Sequence, residues 1–194
     1  MMGARWEIPR MIEIVVGTNR ANSNSRRIGE LLMGLYGTLK VDAQVLDLRD
    51  LPAELFEPGA YGLKPRTFEP LQERVLAARG LHLIVPEYNG GFPGVLKLFI
   101  DMLKFPESFE GKPVAYVGLA SGQWGGLRAV EQLQMIFGYR NALPYPQRVF
   151  ITGVHRKFSE DGVFNDPEIL GRLEAQAAGF THFIDQWADS LVIG

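Results

Sequence analysis

The sequence predicts an α/β fold in which five parallel strands form a sheet between two layers of helices. Short apolar segments alternate five times with longer segments that carry the 3.6-residue period of an amphipathic helix. Such alternation is typical of βα units, whose right-handed crossovers build parallel sheets. Neither an internal repeat nor a linker interrupts the pattern, so we expect residues 1–194 to form a single domain.

The first half of the chain supplies two predicted strands, a helix and a long loop. Residues 11–16 form the first strand, which ends at Gly17. The first helix begins near Ser25, because apolar residues then recur three and four positions apart. Residues 41–48 begin with alternating apolar residues and predict the second strand. The prolines and glycines of residues 52–65 predict a long loop.

The second half of the chain continues the alternation. An apolar helical face predicts a helix over 69–79, and a nearly continuous apolar segment predicts a strand over 81–85 that is covered on both faces. Pro93 suits the first turn of the next helix, because its φ is fixed near the helical value. The remaining predicted elements, in order, are a helix over 93–103, a strand over 113–118, a helix over 126–137, a strand over 148–152 and a last helix capped at Asp166.

The order of the predicted elements favours a flavodoxin-like sheet with strand order 2-1-3-4-5 and helices on both faces. In such sheets ligands bind beyond the carboxyl ends of the strands, at the switch point between the first and third strands. Three loops leave these ends, and all are rich in glycine, hydroxyl or amide side chains: 17–27, 86–94 and 120–126. We therefore expect a ligand site where these loops meet.

The composition excludes several classes of function. A net charge of −2 offers no electrostatic footprint for nucleic acid or for an anionic membrane. The chain has no cysteine and its three histidines are far apart, so neither a disulfide nor a metal site is expected. No segment approaches the ~20 apolar residues of a membrane span. Residues 1–10 resemble neither a signal peptide nor an anchor and are expected to be flexible, and these features together predict a cytoplasmic protein.

The first of the three loops is suited to bind a phosphate. Thr18, Ser23 and Ser25 supply hydroxyl groups, and Arg20 supplies a permanent positive charge. The helix that follows offers free backbone N–H groups and the positive end of its dipole. Helix capping by Ser23 or Ser25 is the alternative role, and it is compatible with phosphate binding. The loop contains neither a Walker A nor a GxGxxG pattern, which disfavours a Rossmann dinucleotide site.

The second and third loops are suited to contact a flat heteroaromatic ring. Gly90 and Gly91 let the backbone approach a ring closely, and Tyr88 adds an aromatic surface. The alternative for this segment is a structural turn between strand and helix. The third loop offers Gly122 to the other edge of the same ring, and its Trp124 either covers the ring or packs at a subunit contact.

Three segments together resemble the NADPH-dependent FMN reductase family, which includes quinone, chromate and azo-dye reductases. Residues 17–23 are similar to its pattern Gly-Ser-x-Arg-x-x-Ser, with Thr18 in place of the serine. Residues 86–97 match its pattern Pro-Glu-Tyr-Asn, two small residues, then x-Pro-Gly-x-Leu-Lys. Residues 121–128 are similar to its Ser-x-Gly-x-x-Gly-Gly-x-Arg pattern, with the first glycine one place early. The resemblance covers residues 11–152.

This resemblance implies a binding site for FMN. It assigns the FMN phosphate to Thr18, Arg20, Ser23 and Ser25. It assigns the isoalloxazine ring to Pro86, Glu87, Tyr88, Asn89, Gly90 and Gly91. The residues that complete the pocket are Ser121, Gly122 and Gly125. Because the flavin carries the chemistry, the resemblance implies no catalytic side chain.

By the same resemblance, the chain is expected to be an NAD(P)H-dependent FMN-containing oxidoreductase. Electrons pass from NADPH or NADH through FMN to a small-molecule acceptor such as a quinone, a free flavin, chromate or an azo compound. A flavodoxin-type electron carrier is an alternative, but such carriers are expected to be strongly acidic and the net charge is only −2. A flavin-binding protein without turnover is a second alternative, which the sequence leaves open.

The resemblance also implies a homodimer or homotetramer, and a few single residues carry further expectations. His82 lies in a predicted buried strand and is expected to be a hydrogen-bonded core residue rather than a ligand. Arg74 is expected on a solvated helix face. A subunit interface that also walls the flavin site is expected from four aromatic residues taken to be exposed: Phe92, Phe99, Phe105 and Trp124.

Overall fold

Parallel strands form one central sheet in the computed structural model, which describes residues 11–192. The strands are β1 (Ile12–Val16), β2 (Ala43–Asp47), β3 (Gly80–Pro86), β4 (Pro113–Leu119), β5 (Leu143–Pro144) and β6 (Val149–Ile151). The helices are α1 (Asn24–Thr38), α2 (Glu69–Ala77), α3 (Gly94–Met102), α4 (Leu127–Tyr139) and α5 (Pro167–Val192). None of these helices is both long and apolar enough to cross a membrane. The N-terminal segment 1–10, predicted to be flexible, lies outside the described residues.

Each predicted strand and helix is present, and the predicted sheet order 2-1-3-4-5 is confirmed with one addition. The order is β2-β1-β3-β4, after which both β5 and β6 pair in parallel with β4. The fifth position is thus shared by two short strands. Pro144 and Pro146 explain the interruption, because proline lacks the N–H group that a continuous ladder needs. A two-residue strand such as β5 has no periodicity from which to predict it.

The register of the strands brings their carboxyl ends to one edge of the sheet. Val16 at the end of β1 lies opposite Ile84 of β3. Pro86 at the end of β3 lies opposite Leu119 at the end of β4. The loops that follow β1, β3 and β4 therefore leave the sheet side by side, at the switch point of the strand order.

Two apolar clusters hold the helices against the two faces of the sheet. Ile12, Ile14 and Val16 of β1 pack on the side of α1 and α5. Val15, between them in sequence, packs on the side of α2, α3 and α4. The period of two along the strand divides its side chains between the faces. Because both faces are covered, the strands are nearly continuous apolar segments, as the sequence predicts.

His82 is a fully buried core residue, as predicted. Its Nδ1 lies 2.8 Å from the hydroxyl of Tyr36, and its Nε2 lies 3.1 Å from Oε1 of Gln176. The amide nitrogen of Gln176 donates to the carbonyls of Tyr116 and Gln147, so its oxygen accepts from His82. The proton of the neutral imidazole therefore sits on Nε2. Burial lowers the pKa of His82 to about 4, against the opposing effect of the Gln176 hydrogen bond.

Two expectations about single residues are wrong. Phe99 is only 3% exposed, because its ring packs edge-on against Phe68 with centroids 6.2 Å apart, so it belongs to the core rather than to an exposed surface. Arg74 is not simply solvated, because its Nη2 donates to Oε2 of the buried Glu13 at 2.6 Å. A helix face that covers a sheet can hold a charged residue when the strand beneath supplies the opposite charge.

Candidate functional site

The candidate site lies at the carboxyl edge of the sheet, where three loops meet. We name them the first loop (17–23, after β1), the second loop (87–93, after β3) and the third loop (120–126, after β4). Glycine at position 17 is required for the first loop to cross the end of β3. Gly17 donates its N–H to the carbonyl of Ile84 at 2.9 Å, and a Cβ atom at Gly17 would lie only 2.6 Å from that oxygen.

A side-chain hydrogen bond joins the first loop to the second. The hydroxyl oxygens of Thr18 and Tyr88 lie 2.6 Å apart, and Thr18 is completely buried. The backbone N–H of Arg20 donates to the same threonine oxygen at 3.3 Å. The guanidinium carbon of Arg20 lies 5.9 Å from the centre of the Tyr88 ring. Three of the residues predicted for the site are therefore in direct contact with one another.

The first loop leads directly into the N-terminus of α1. Ser23 caps the helix, because its Oγ accepts the backbone N–H of Arg26 at 3.1 Å, and Ser25 is buried in the first turn. The capping role considered for Ser23 is thus confirmed. The N–H groups of Asn24 and Ser25 donate to no acceptor among residues 11–192. Together with the helix dipole, such N–H groups favour an anion at this position.

The second loop contains a tight turn of four residues. Tyr88 and Gly91 exchange both backbone hydrogen bonds, at 2.8 and 3.1 Å. Asn89 and Gly90 between them have φ of 51° and 79°, which is the geometry of a type I′ turn. The N–H groups of these two central residues donate to no acceptor in the described part of the chain. The predicted alternative of a structural turn is present, and its outward N–H groups remain available to a ligand.

Gln132 of α4 supports this turn, although the sequence gives no indication of it. Its Nε2 donates to the carbonyl of Gly90 at 3.3 Å. A Cβ atom at Gly91 would lie 2.9 Å from Oε1 of Gln132, so the small residue at position 91 makes room for the glutamine. The contact joins residues 42 positions apart, and no short sequence pattern could have revealed it.

The glycines of the third loop differ in what surrounds them. A Cβ atom at Gly125 would lie 3.0 Å from the backbone nitrogen of Ile151, so this glycine packs on β6. Gly122 has open space at the Cβ position, and both it and Ser121 are exposed. Trp124 is 53% exposed. The described contacts do not join Ser121, Gly122 or Gly125 to the first two loops.

Glu87 is the one carboxylate among the predicted site residues. Its backbone N–H donates to the carbonyl of Leu119 at 3.0 Å, which ties the start of the second loop to the end of β4. Its Oε2 is buried and has no hydrogen-bond partner within residues 11–192. The same range contains no group of three His, Cys, Asp or Glu side chains that could hold a metal ion. The site therefore offers hydrogen-bond partners to an organic ligand.

The sheet order, with an anion-binding helix start beside a glycine-rich turn at its switch point, defines a flavodoxin-like flavoprotein. The chain belongs to the NADPH-dependent FMN reductase family, whose sequence profile matches residues 11–156. It is therefore an oxidoreductase, and its cofactors are FMN and a reduced nicotinamide.

Comparisons with single proteins agree with this assignment. A quinone reductase from Escherichia coli K12 is 32% identical over 126 residues, which cover 63% of this chain and 67% of that protein. A quinone reductase from Pseudomonas putida is 26% identical over 162 residues, which cover 80% of this chain and 84% of that protein. The solved structure of FerB, an NAD(P)H:(acceptor) oxidoreductase from Paracoccus denitrificans, has the same fold, with a TM-score of 0.76, 22% identity and coverage of 91% of this chain and 98% of that one.

Proposed function

We propose that this protein reduces quinones and that it holds FMN at the carboxyl edge of its sheet. The observation that carries the proposal is the set of unpaired groups around the first loop. Arg20 has no acidic partner among the described residues, and the N–H groups of Asn24 and Ser25 have no acceptor there. A site that leaves a guanidinium and two N–H groups unpaired is suited to a phosphate.

The phosphate of FMN would be bound by these groups and by the hydroxyls of the same segment. Ser23 already accepts one hydrogen bond from Arg26, and its hydroxyl hydrogen is free to donate to a phosphate oxygen. Ser25 adds a second hydroxyl in the first turn of α1. Thr18 lies beneath the loop and supports it through its contact with the N–H of Arg20.

The isoalloxazine ring would lie against the second loop, which begins after Pro86. The unpaired N–H groups of Asn89 and Gly90 are suited to ring carbonyl and nitrogen acceptors. The buried Oε2 of Glu87 is suited to a donor, and the ring carries an N–H group. Tyr88 supplies an aromatic surface. Ser121 and Gly122 would approach from the third loop, which Gly125 holds close to β6.

When bound, FMN accepts a hydride from the nicotinamide and passes the electrons to the acceptor. The chain binds the phosphate, orients the ring and leaves one of its faces accessible. None of the proposed site residues has to act as a nucleophile. The open face would admit NADPH or NADH and then the acceptor, and a quinone is proposed because relatives from two bacteria are named quinone reductases.

A flavin titration with a matched pair of arginine variants tests the site. FMN is added to cofactor-free protein and its fluorescence is followed. The unsubstituted protein should bind FMN with saturation, and Arg20→Ala should weaken binding by about 10- to 100-fold, because a charge-assisted contact is lost. Arg172→Ala on an exposed turn of α5 should bind FMN as the unsubstituted protein does. Absence of saturable uptake, or equal affinities for all three proteins, would overturn the proposed site.

Turnover is tested on the FMN-loaded protein with NADPH or NADH and a simple benzoquinone. We expect rapid oxidation of the nicotinamide that depends on the quinone and needs no second protein. Reduction of the flavin without transfer to a quinone would instead favour a flavodoxin-type electron carrier. Failure of NADPH and NADH to reduce the flavin would favour a flavin-binding protein without turnover.

We also propose that the protein forms a homodimer or homotetramer in the cytoplasm, where reduced nicotinamides are available. The support is a set of exposed apolar side chains near α3 and α4: Phe105 at 61%, Met135 at 77% and Tyr139 at 81%, with Trp124 in the third loop at 53%. Light scattering coupled to size exclusion measures the mass in solution, and a strictly monomeric protein at micromolar concentration would contradict the proposal.

A further inference from the structure

The contact between Thr18 and Tyr88 has a role that neither residue has alone. Thr18 belongs to the proposed phosphate site and Tyr88 to the proposed ring site, and their hydroxyl oxygens lie 2.6 Å apart. The residues are 70 positions apart in the chain. A bond of this length between two hydroxyls is short and well within the range of a strong hydrogen bond.

The burial of Thr18 restricts what its hydroxyl can do. Its side chain is 0% exposed, and its oxygen is already engaged by Tyr88 and by the N–H of Arg20. A hydroxyl has one donor and two acceptor sites, so these contacts use most of its capacity. Thr18 is therefore placed to join two loops rather than to face a ligand directly.

Arg20 provides a second connection between the same loops. Its guanidinium lies 5.9 Å from the centre of the Tyr88 ring, within the range of a cation–π contact. A phosphate that binds Arg20 would hold this side chain in place and restrict the motion of the backbone that contacts Thr18. Tyr88 is then held from both its ring and its hydroxyl by the segment that grips the phosphate.

The turn of the second loop depends on Tyr88 for its position. Tyr88 and Gly91 close the turn through their backbone hydrogen bonds, and both central residues have left-handed φ values. Outside the loop, one described side-chain contact to the turn comes from Gln132, which is exposed, and the other comes from Thr18, which is buried. The buried contact is the stronger restraint, because water does not compete for it.

We propose that Tyr88 is a positioning residue that couples the two parts of the flavin site, so that a bound phosphate strengthens ring binding through Thr18. The inference rests on the proposed FMN site and adds a specific consequence. The protein should prefer FMN over riboflavin, which lacks the phosphate, by more than the direct phosphate contacts alone provide. Removing the hydroxyl of Tyr88 should reduce this preference while the direct contacts to the phosphate stay intact.

The test measures dissociation constants for FMN and for riboflavin with cofactor-free protein. Tyr88→Phe should lower the ratio of riboflavin to FMN dissociation constants by about three- to tenfold, the size of one hydrogen bond. Thr18→Val should have the same effect, and the double variant should be no worse than either single variant, because both substitutions remove one interaction. Thr18→Ser keeps the hydroxyl and should retain the ratio. Tyr61→Phe, which removes an exposed hydroxyl from the loop between β2 and α2, serves as the matched control.

The outcomes separate this inference from the proposed function. If Tyr88→Phe weakens FMN and riboflavin binding by the same factor, its hydroxyl only shapes the ring site and the coupling is refuted. Additive effects of Thr18→Val and Tyr88→Phe would also refute it, because they would show two independent roles. Both results leave the FMN site in place. If the unsubstituted protein binds no FMN, the proposed function fails first and the coupling fails with it.

Discussion

Glu13 of β1 and Arg74 of α2 form an ion pair in the interior of the fold. Nη2 of Arg74 donates to Oε2 of Glu13 at 2.6 Å, and its Nε donates to Oε1 at 3.2 Å, so the pair is bidentate. Glu13 is 1% exposed, whereas Arg74 reaches the surface with 31% of its side chain. Nη2 also donates to the carbonyl of Val45 at 2.9 Å, and Gln44 donates to the same carboxylate. One arginine thus fixes α2 against both β1 and β2.

Arg74→Met should destabilise the protein by about 3 kcal/mol, because it leaves the carboxylate of Glu13 buried without its counter-charge. The free energy of unfolding is measured by denaturant titration. The double variant Glu13→Gln with Arg74→Met should recover part of the loss, since no charge then remains in the interior. Arg172→Met, on an exposed position of α5, should change stability little. Equal stability of Arg74→Met and Arg172→Met would show that the ion pair contributes nothing.

This pair shows what the sequence predicts well and what it does not. The strands and helices follow from apolar periodicity, and the sheet order follows from rules on crossover connections, so both are predictable without side-chain contacts. The meeting of the three loops follows in turn from that order. Glu13 and Arg74 are 61 residues apart, and their contact depends on the rotation of α2 about its own axis, which periodicity does not fix closely enough.

The candidate site divides in the same way. The hydroxyl, arginine and glycine residues of the three loops are predictable because a parallel sheet gathers such loops at one edge. The roles within the loops are less predictable, because they depend on which atoms are already engaged. Thr18 bonds to Tyr88, Gln132 supports the turn from α4, and Gly125 packs on β6. Each of these contacts crosses from one element to another and leaves no local pattern in the sequence.

Protonation of His82 should make stability fall as the pH is lowered. Burial lowers the pKa of His82 to about 4, whereas an exposed histidine in the unfolded chain titrates near about 6.5. Between these values the unfolded chain binds a proton that the folded protein does not, so stability is present above the unfolded pKa and is lost toward the folded one. The contribution amounts to about 3 kcal/mol at pH 4 relative to neutral pH.

The measurement is the free energy of unfolding from pH 7.5 to pH 4.5. His82→Gln keeps a hydrogen-bonding side chain between Tyr36 and Gln176 but does not titrate, so its stability should fall less steeply, by about 1.4 kcal/mol per pH unit near pH 5. His155→Gln, at an exposed position, should follow the unsubstituted protein. Parallel pH profiles for the unsubstituted protein and His82→Gln would contradict a depressed pKa at this residue.

Lys112 should stabilise the C-terminus of α2. Its Nζ donates to the carbonyls of Val75 at 2.7 Å, Leu76 at 3.1 Å and Ala78 at 2.8 Å. These carbonyls belong to the last turn of the helix, where no intrahelical donor reaches them. Lys112→Met should therefore cost about 2 kcal/mol of unfolding free energy, because the methionine fills the space without replacing the donor. Lys104→Met, at an exposed position after α3, is the control and should be close to neutral; a similarly small effect at position 112 would refute the capping role.

Two glycines of the third loop should respond to alanine in opposite ways. Gly126 has a φ of 85°, and a Cβ atom there would lie 2.6 Å from the backbone nitrogen of Leu119, so alanine is opposed both by the backbone conformation and by a contact that cannot move aside. Gly126→Ala should lower the free energy of unfolding by at least about 2 kcal/mol. Gly122→Ala meets open space and should leave stability unchanged. If both variants unfold at the same denaturant concentration, the third loop does not pack on β4 as described, and the surface that it offers to the flavin has a different shape.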